Sequence, residues 1–104
     1  MREICLVRFD TTRPALVLTR EAARGAMTKV TVAPVTSTIK GLSSEVRVGR
    51  ENGLDHECAV ALDNVVTVHR SLLGRTVGHL TAEQEAELAR AVVLAYDLEL
   101  PLLA

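Results

Sequence analysis

The chain has 104 residues, of which 48% are hydrophobic and 24% charged, and its formal net charge is −1. This length fits one domain over residues 1–104, and the apolar content excludes intrinsic disorder. No apolar run approaches the roughly 20 residues of a membrane-spanning helix, and two Cys are too few for a disulfide framework, so we expect a protein of the reducing cytoplasm.

The first three quarters of the chain show the alternation typical of short β-strands. Val30 and Val32 flank Thr31, and Val46 and Val48 alternate with charged residues. Gly, Asn or Asp interrupts this pattern about every ten residues, as in small sandwiches and barrels. The pattern predicts strands at 3–9, 14–19, 28–35, 43–49, 58–63, 65–69 and 75–79, and a short helical turn within 20–27. The uninterrupted apolar run at 15–18 is expected in the middle of the core.

A helix is predicted over residues 81–96. Thr81 and Gln84 have the spacing of a capping box, in which each side chain bonds the other residue's backbone N–H. Pro101 prevents a longer helix. An apolar stripe follows the cap at spacings of three and four: Leu88, Val92, Ala95 and Tyr96. The expected architecture is a mainly β (α+β) fold, a strongly curved antiparallel sheet over about 3–79, closed or nearly closed, with one C-terminal helix.

Charge is divided unevenly along the chain. Residues 1–80 hold eleven Lys or Arg against eight Asp or Glu, whereas residues 81–104 hold one Arg against five acids. This indicates either scattered surface charge or a mildly basic body with an acidic terminal helix. Because only 2% of the residues are aromatic, a nucleic-acid site would have to use charges, hydroxyls and the backbone instead of a row of stacking rings.

Histidine and cysteine give weaker signals. A metal site among His56, Cys58, His69 and His79 is not predicted, since no second pair shows the spacing of a zinc site. Cys58 is better interpreted as a buried thiol and His56 as a turn residue. His69 and His79 could act as the acid and base of a ribonuclease, but two polar surface residues are the favoured interpretation.

Two polar segments are more informative. Arg13 precedes Pro14, which disfavours helix at Arg13 and leads the chain into a strand. Downstream, three hydroxyls and a cation follow Pro34 within a few residues: Thr36, Ser37, Thr38 and Lys40. Each segment also fits a simpler interpretation, a solvated charge at a sheet rim and a hydrophilic loop, respectively.

These segments resemble, in order, the motifs of the MazF/PemK-like toxins. The run 13–20 resembles the strand that begins at the family's Arg-Pro pair. Residues 32–41 resemble its second motif, a strand that ends in a small residue and Pro followed by two hydroxyls, and Glu45 and Val46 continue this match. Residues 61–65 resemble its Asp-amide motif. The resemblance covers nearly the whole chain and is closest to short actinobacterial members.

The resemblance implies a homodimeric SH3-like barrel with a C-terminal helix. It also implies the toxin of a type II toxin–antitoxin pair, a metal-independent and cofactor-free endoribonuclease that cuts mRNA, rRNA or tRNA at short sequences. The substrate's 2′-hydroxyl would attack the adjacent phosphorus and leave 2′,3′-cyclic phosphate and 5′-hydroxyl ends. The implied residues are Arg13 and Thr36 as the catalytic pair, Thr12, Ser37, Thr38 and Lys40 as RNA-binding residues, and Asp63 and Asn64 in support.

The chain departs from the family pattern in three places. The first strand carries no aromatic residue in its opening positions, and an Asp-Asn pair replaces the common Asp-Gln. Only residues 10–12 separate that strand from Arg13, so Asp10 is the one candidate for any acid that a longer loop would supply. A short loop is expected to leave the groove open, even to folded RNA.

Other classes of function stay open at this point. A non-catalytic barrel that binds a protein or nucleic acid would look similar, and so would a topoisomerase-inhibiting barrel, although such a barrel typically lacks the Arg/Thr pair. An unrelated small β domain is a further alternative. For the toxin, the expected partners are RNA and an antitoxin whose acidic, disordered segment lies across the groove at Arg13 and competes with RNA.

Overall fold

A computed structural model describes residues 2–99 of the chain. It contains a strand or helix in each predicted region. The strands are β1 (Glu3–Arg8), β2 (Thr12–Val17), β3 (Lys29–Thr36), β4 (Glu45–Val48), β5 (Cys58–Ala61), β6 (Val66–His69) and β7 (Leu73–His79), and the helices are α1 (Glu21–Arg24) and α2 (Ala82–Ala95). The β2 strand begins two residues earlier than predicted, so Arg13 lies within the strand and not ahead of it.

All strand pairs are antiparallel, and the order along the sheet is β4-β5-β3-β2-β1-β7. The long β3 pairs with β2 on one edge and divides its other edge between two partners. Residues 29–32 pair with β6, and residues 35–36 pair with β5. Within residues 2–99, β4 and β7 each have one strand partner, so the sheet is a curled half-barrel and not a closed cylinder.

Both faces of the central strands are buried. Because successive side chains of a strand point to opposite faces, Leu16 packs into the cluster that lies against α2, whereas Ala15 and Val17 pack into a second cluster on the other face. Both clusters are aliphatic, as the composition requires. The run 15–18 is fully buried in its first three residues, and Leu18 is half-buried at the edge of the first cluster.

The capping box at the start of α2 is confirmed. The Thr81 hydroxyl accepts from the Gln84 N–H at 3.2 Å, and Gln84 Oε1 accepts from the Thr81 N–H at 2.9 Å. Leu88 and Ala91 are buried against the sheet. Tyr96, the last residue of the predicted stripe, is the C-cap of α2 and donates its N–H to the Val92 carbonyl at 3.1 Å. Its side chain is 52% exposed and lines a surface groove together with Leu88 and Val92. Pro101 lies outside the described residues.

A buried polar network ties α2 to the rest of the fold. Asn52, which is 0% exposed, donates from Nδ2 to the His79 carbonyl at 2.9 Å and to Gln84 Oε1 at 2.6 Å. Its Oδ1 accepts from the Gly49 N–H at 3.0 Å and from Gln84 Nε2 at 3.1 Å. Gln84 Nε2 also donates to the Arg47 carbonyl at 3.1 Å. The network therefore satisfies both buried amides completely and fixes where α2 begins.

No helix among residues 2–99 is long and apolar enough to cross a membrane.

Candidate functional site

A cleft of about 600 Å³ opens where β2 and β3 meet the β3–β4 loop and the turn before β6. Six of the eight site residues predicted from the sequence line it: Arg13, Thr36, Thr38, Lys40, Asp63 and Asn64. The other two, Thr12 and Ser37, are exposed neighbours of Arg13 and Thr36 but do not line the cleft. The fold thus brings three separate polar segments to one place.

Strand register explains why Arg13 and Thr36 are neighbours. Ala15 of β2 pairs with Pro34 of β3. Arg13 and Thr36 each stand two residues beyond this pair on their own strands, so the strand period of two places their side chains on the same face as those of Ala15 and Pro34. The two proline-containing segments therefore present one cation and one hydroxyl to the same cleft.

The Arg13 guanidinium is held loosely and keeps most of its donors free. Its side chain is 52% exposed, Cζ lies 5.2 Å above the centre of the Phe9 ring, and Nη2 is 3.6 Å from Asp10 Oδ1. An exposed ion pair at this distance contributes little stability. Asp10 is therefore beside Arg13, although it does not line the cleft.

Thr36 is the last residue of β3, and its hydroxyl is already oriented. Its Oγ1 accepts a hydrogen bond from the Thr38 N–H at 3.0 Å. Because a hydroxyl has one hydrogen and can accept as well as donate, this contact leaves the Thr36 O–H available to donate to a ligand.

Two acidic side chains of the cleft are held by hydrogen bonds from the protein. The Glu45 carboxylate accepts from the backbone N–H groups of residues 40–42. Asp63 Oδ2 accepts from the hydroxyl of Ser44, which is buried. Arg13, Lys40 and Asp63 are exposed and Glu45 is half-buried, so the cleft presents two cations, hydroxyls and one hydrogen-bonded carboxylate to solvent.

Three residues of this region were not identified by sequence reasoning. Phe9 lines the cleft beneath Arg13, and Glu45 and Ser44 fix its walls. Phe9 could have been proposed as a site residue from the sequence, because it is the one Phe of the chain and stands four residues before Arg13. Glu45 lies where the resemblance to the MazF/PemK-like toxins continues, but no role was predicted for it, and Ser44 had no signal beyond its place at the start of a predicted strand.

The cysteines and histidines lie away from the cleft. Burial raises the pKa of both the Cys5 and Cys58 thiols, so these groups stay protonated and weakly nucleophilic. His69 and His79 are exposed, and neither lines the cleft. Within residues 2–99, no three His, Cys, Asp or Glu side chains are grouped as metal ligands.

The arrangement suits a phosphodiester. A guanidinium presents several donors to phosphate oxygens, an ammonium adds charge, and a free hydroxyl can orient a reacting oxygen. The apolar side chains at the rim, Phe9, Leu42 and Val66, offer a surface for a nucleobase.

Comparison with known proteins identifies relatives over nearly the whole chain. Residues 2–96 match the family model described as the PemK-like, MazF-like toxin of type II toxin-antitoxin system. The sequence is similar to endoribonuclease MazF3 of Mycobacterium tuberculosis, with 46% identity over 99 residues that cover 95% of this chain and 96% of the relative.

Solved structures give the same result. The fold is similar to that of the Mycobacterium tuberculosis toxin MazF-mt6, with a TM-score of 0.93, 45% identity, and coverage of 95% of this chain and 100% of that one. It is also similar to a chain of the MazE-MazF structure (Form-II) from Deinococcus radiodurans, with a TM-score of 0.78, 25% identity and coverage of 93% of each chain.

Proposed function

This chain belongs to the PemK-like, MazF-like toxins of type II toxin–antitoxin systems and is an endoribonuclease, and we propose that Arg13 and Thr36 form its catalytic pair. The observation that supports this proposal is that both side chains line one cleft, each two residues beyond the paired Ala15 and Pro34 of β2 and β3. Among the described residues, Arg13 is the only Arg that lines this cleft, and Thr36 is the hydroxyl-bearing residue at the end of β3.

The reaction is a transfer within the RNA strand. The 2′-oxygen forms a bond to the adjacent phosphorus, the bond from phosphorus to the 5′-oxygen breaks, and the products are a 2′,3′-cyclic phosphate and a 5′-hydroxyl. The 2′-hydroxyl gives up its proton to water, and the leaving 5′-oxygen takes up a proton from water. This chemistry depends on alignment and on stabilising the charge that builds up on the phosphorane oxygens.

Arg13 stabilises that charge, because its guanidinium stays protonated throughout and can donate twice to the same phosphate. Thr36 donates its free O–H to a phosphate oxygen and orients the phosphate against the 2′-hydroxyl. Lys40 and Thr38 bind the strand on the loop side of the cleft. The remaining residues of the proposal are Thr12 and Ser37, which extend the RNA path beyond the cleft, and Asp63 and Asn64, which support its far wall.

The test is cleavage of one long mRNA and of ribosomal RNA in EDTA, with fragment ends mapped and chemically identified. We expect cuts at a shared short sequence, cyclic-phosphate ends, and a loss of about 10²- to 10³-fold in rate for Arg13→Ala and Thr36→Ala. Arg75→Ala and Thr67→Ala are matched controls, since both residues are exposed and outside the cleft.

Two outcomes contradict the proposal. Cleft variants as active as the wild type would remove Arg13 and Thr36 from the chemistry. A folded wild-type protein that cuts neither RNA would favour the non-catalytic barrel, and a protein partner would be sought next.

The toxin family implies an antitoxin, and we propose that an acidic, disordered segment of it lies across this same cleft and competes with RNA in the cytoplasm. The exposed charges of Arg13 and Lys40 support this. Cross-links confined to the acidic helix α2 would contradict it. We also propose a homodimer, which a stable monomer in light scattering at micromolar concentration would refute.

A further inference from the structure

Glu45 is an acidic residue in the wall of a cleft that we propose binds a polyanion. A carboxylate there repels the phosphates of RNA, so it weakens binding unless it has another task. It is the first residue of β4 and half-buried, and it faces the loop that carries Thr38 and Lys40.

The contacts of Glu45 identify that task. Its Oε1 accepts from three consecutive backbone N–H groups, those of Lys40 at 3.2 Å, Gly41 at 2.9 Å and Leu42 at 3.1 Å. Consecutive N–H groups that converge on one anion form a backbone nest. Gly41 has φ +74°, a left-handed conformation that favours glycine and that turns these N–H groups inward.

Little else holds this segment. Residues 40–43 are all exposed, so side-chain packing contributes little to their conformation. The segment is tied at its start by the bond from the Thr38 N–H to Thr36 Oγ1, and at its end by the bond from the Glu45 N–H to the Leu42 carbonyl at 3.1 Å. Between these points the Glu45 carboxylate is the anchor.

We propose that Glu45 is a positioning residue for RNA cleavage, whose carboxylate holds residues 38–42 so that the Thr36 hydroxyl and the Lys40 ammonium keep their places in the cleft. The inference rests on the proposed function of that cleft. Glu45 acts through hydrogen-bond geometry: it needs an oxygen acceptor at the correct reach, and its negative charge is not required.

Three variants separate geometry from charge. Glu45→Gln keeps an oxygen acceptor of the same length and removes the charge, so we expect kcat within about 3-fold of the wild type and an equal or lower KM. Glu45→Asp keeps the charge but falls short by one methylene, and Glu45→Ala removes the acceptor. For both we expect kcat to fall about 10- to 100-fold, because small misplacements of reacting groups have effects of this size. Glu57→Ala, which removes an exposed carboxylate outside the cleft, is the matched control.

Amide hydrogen exchange measured by NMR supplies a readout that is independent of activity. We expect the N–H groups of residues 40–42 to be protected in the wild type and in Glu45→Gln, and to exchange faster in Glu45→Ala while the sheet amides stay unchanged. Wild-type kcat in Glu45→Ala, or equal loss in the Gln and Ala variants, would overturn the inference.

The exchange data also separate this inference from the proposed function. If the wild type cuts no RNA although residues 40–42 are protected through Glu45, the proposed function fails and the positioning role fails with it. If the wild type cuts RNA but these amides are unprotected, the inference alone is wrong.

Discussion

The network around Asn52 and the cleft around Arg13 are made of the same kinds of groups, amides, hydroxyls and backbone N–H, but they differ in what those groups bond. In the network, both side-chain amides are buried and every donor and acceptor has a partner within the protein. In the cleft, Arg13 is half exposed and the Thr36 hydroxyl keeps a free hydrogen.

This difference separates stability from function. A buried amide without its partner costs about 1–3 kcal/mol, so the network stabilises the fold only as a complete set. An exposed donor costs little when it is unpaired and remains available to a ligand. We therefore expect substitutions in the network to lower the free energy of unfolding without changing the rate of RNA cleavage. Substitutions in the cleft should lower the rate of cleavage without changing the free energy of unfolding.

The largest loss of stability is expected at Gly78, which packs directly against the backbone of Asn52. A Cβ at Gly78 would lie 1.8 Å from the Asn52 carbonyl oxygen, a distance that requires backbone movement. Gly78→Ala should therefore reduce the free energy of unfolding by more than about 3 kcal/mol in urea titration. Gly25→Ala is the matched control, because a Cβ added there would meet no atom within 4 Å beyond its chain neighbours. Its free energy of unfolding should change by no more than about 0.5 kcal/mol. Equal losses of stability in Gly78→Ala and Gly25→Ala would contradict the role of the network in stability.

The next effect compares two asparagines directly. Asn52→Ala should reduce the free energy of unfolding by about 2–4 kcal/mol, because it leaves the Gly49 N–H and the Gln84 side chain without a partner. Asn64→Ala, at an exposed cleft position, should change it by no more than about 0.5 kcal/mol. Cleavage rates measured below the unfolding transition should be unchanged in the first variant and lowered in the second. A lowered cleavage rate in Asn52→Ala, or an unchanged rate in Asn64→Ala, would contradict the assignment of the network to stability and of the cleft to cleavage.

The smallest expected effect is on the pH dependence of stability, and it concerns the half-buried Glu3. A hydrogen bond from the Thr76 hydroxyl at 2.8 Å, followed by the charge of Arg24, lowers the pKa of Glu3. A carboxylate whose pKa is lowered by folding stabilises the protein above its unfolded pKa, and this contribution disappears as the pH falls through the folded pKa. Thr76→Val should therefore reduce the loss of stability between pH 7 and pH 3 by about 0.5 kcal/mol. Thr67→Val, in an exposed threonine pair, should not change it.

Much of the architecture could be predicted because it depends on local sequence. The capping box of Thr81 and Gln84 spans three residues, and the alternation of Val30 and Val32 follows the strand period, so neither requires knowledge of distant contacts. The resemblance to the MazF/PemK-like toxins is confirmed as well, and it brought Arg13 and Thr36 forward before their proximity was known. The spacing rule placed Tyr96 on the same face as Leu88 and Val92, but it could not show that the end of the helix leaves this side chain half exposed.

The sequence by itself determined which segments form strands, where α2 starts and which polar residues are available for a site. Only the tertiary structure decided that β3 divides its edge between β5 and β6, and that Asn52 bonds a residue 32 positions away. It also decided that the Glu45 carboxylate accepts a hydrogen bond from Gly41, in the loop that follows Thr36. The physical reason is that these contacts follow from the register and curl of the sheet, which depend on burying both of its faces at once, and no local pattern specifies that outcome.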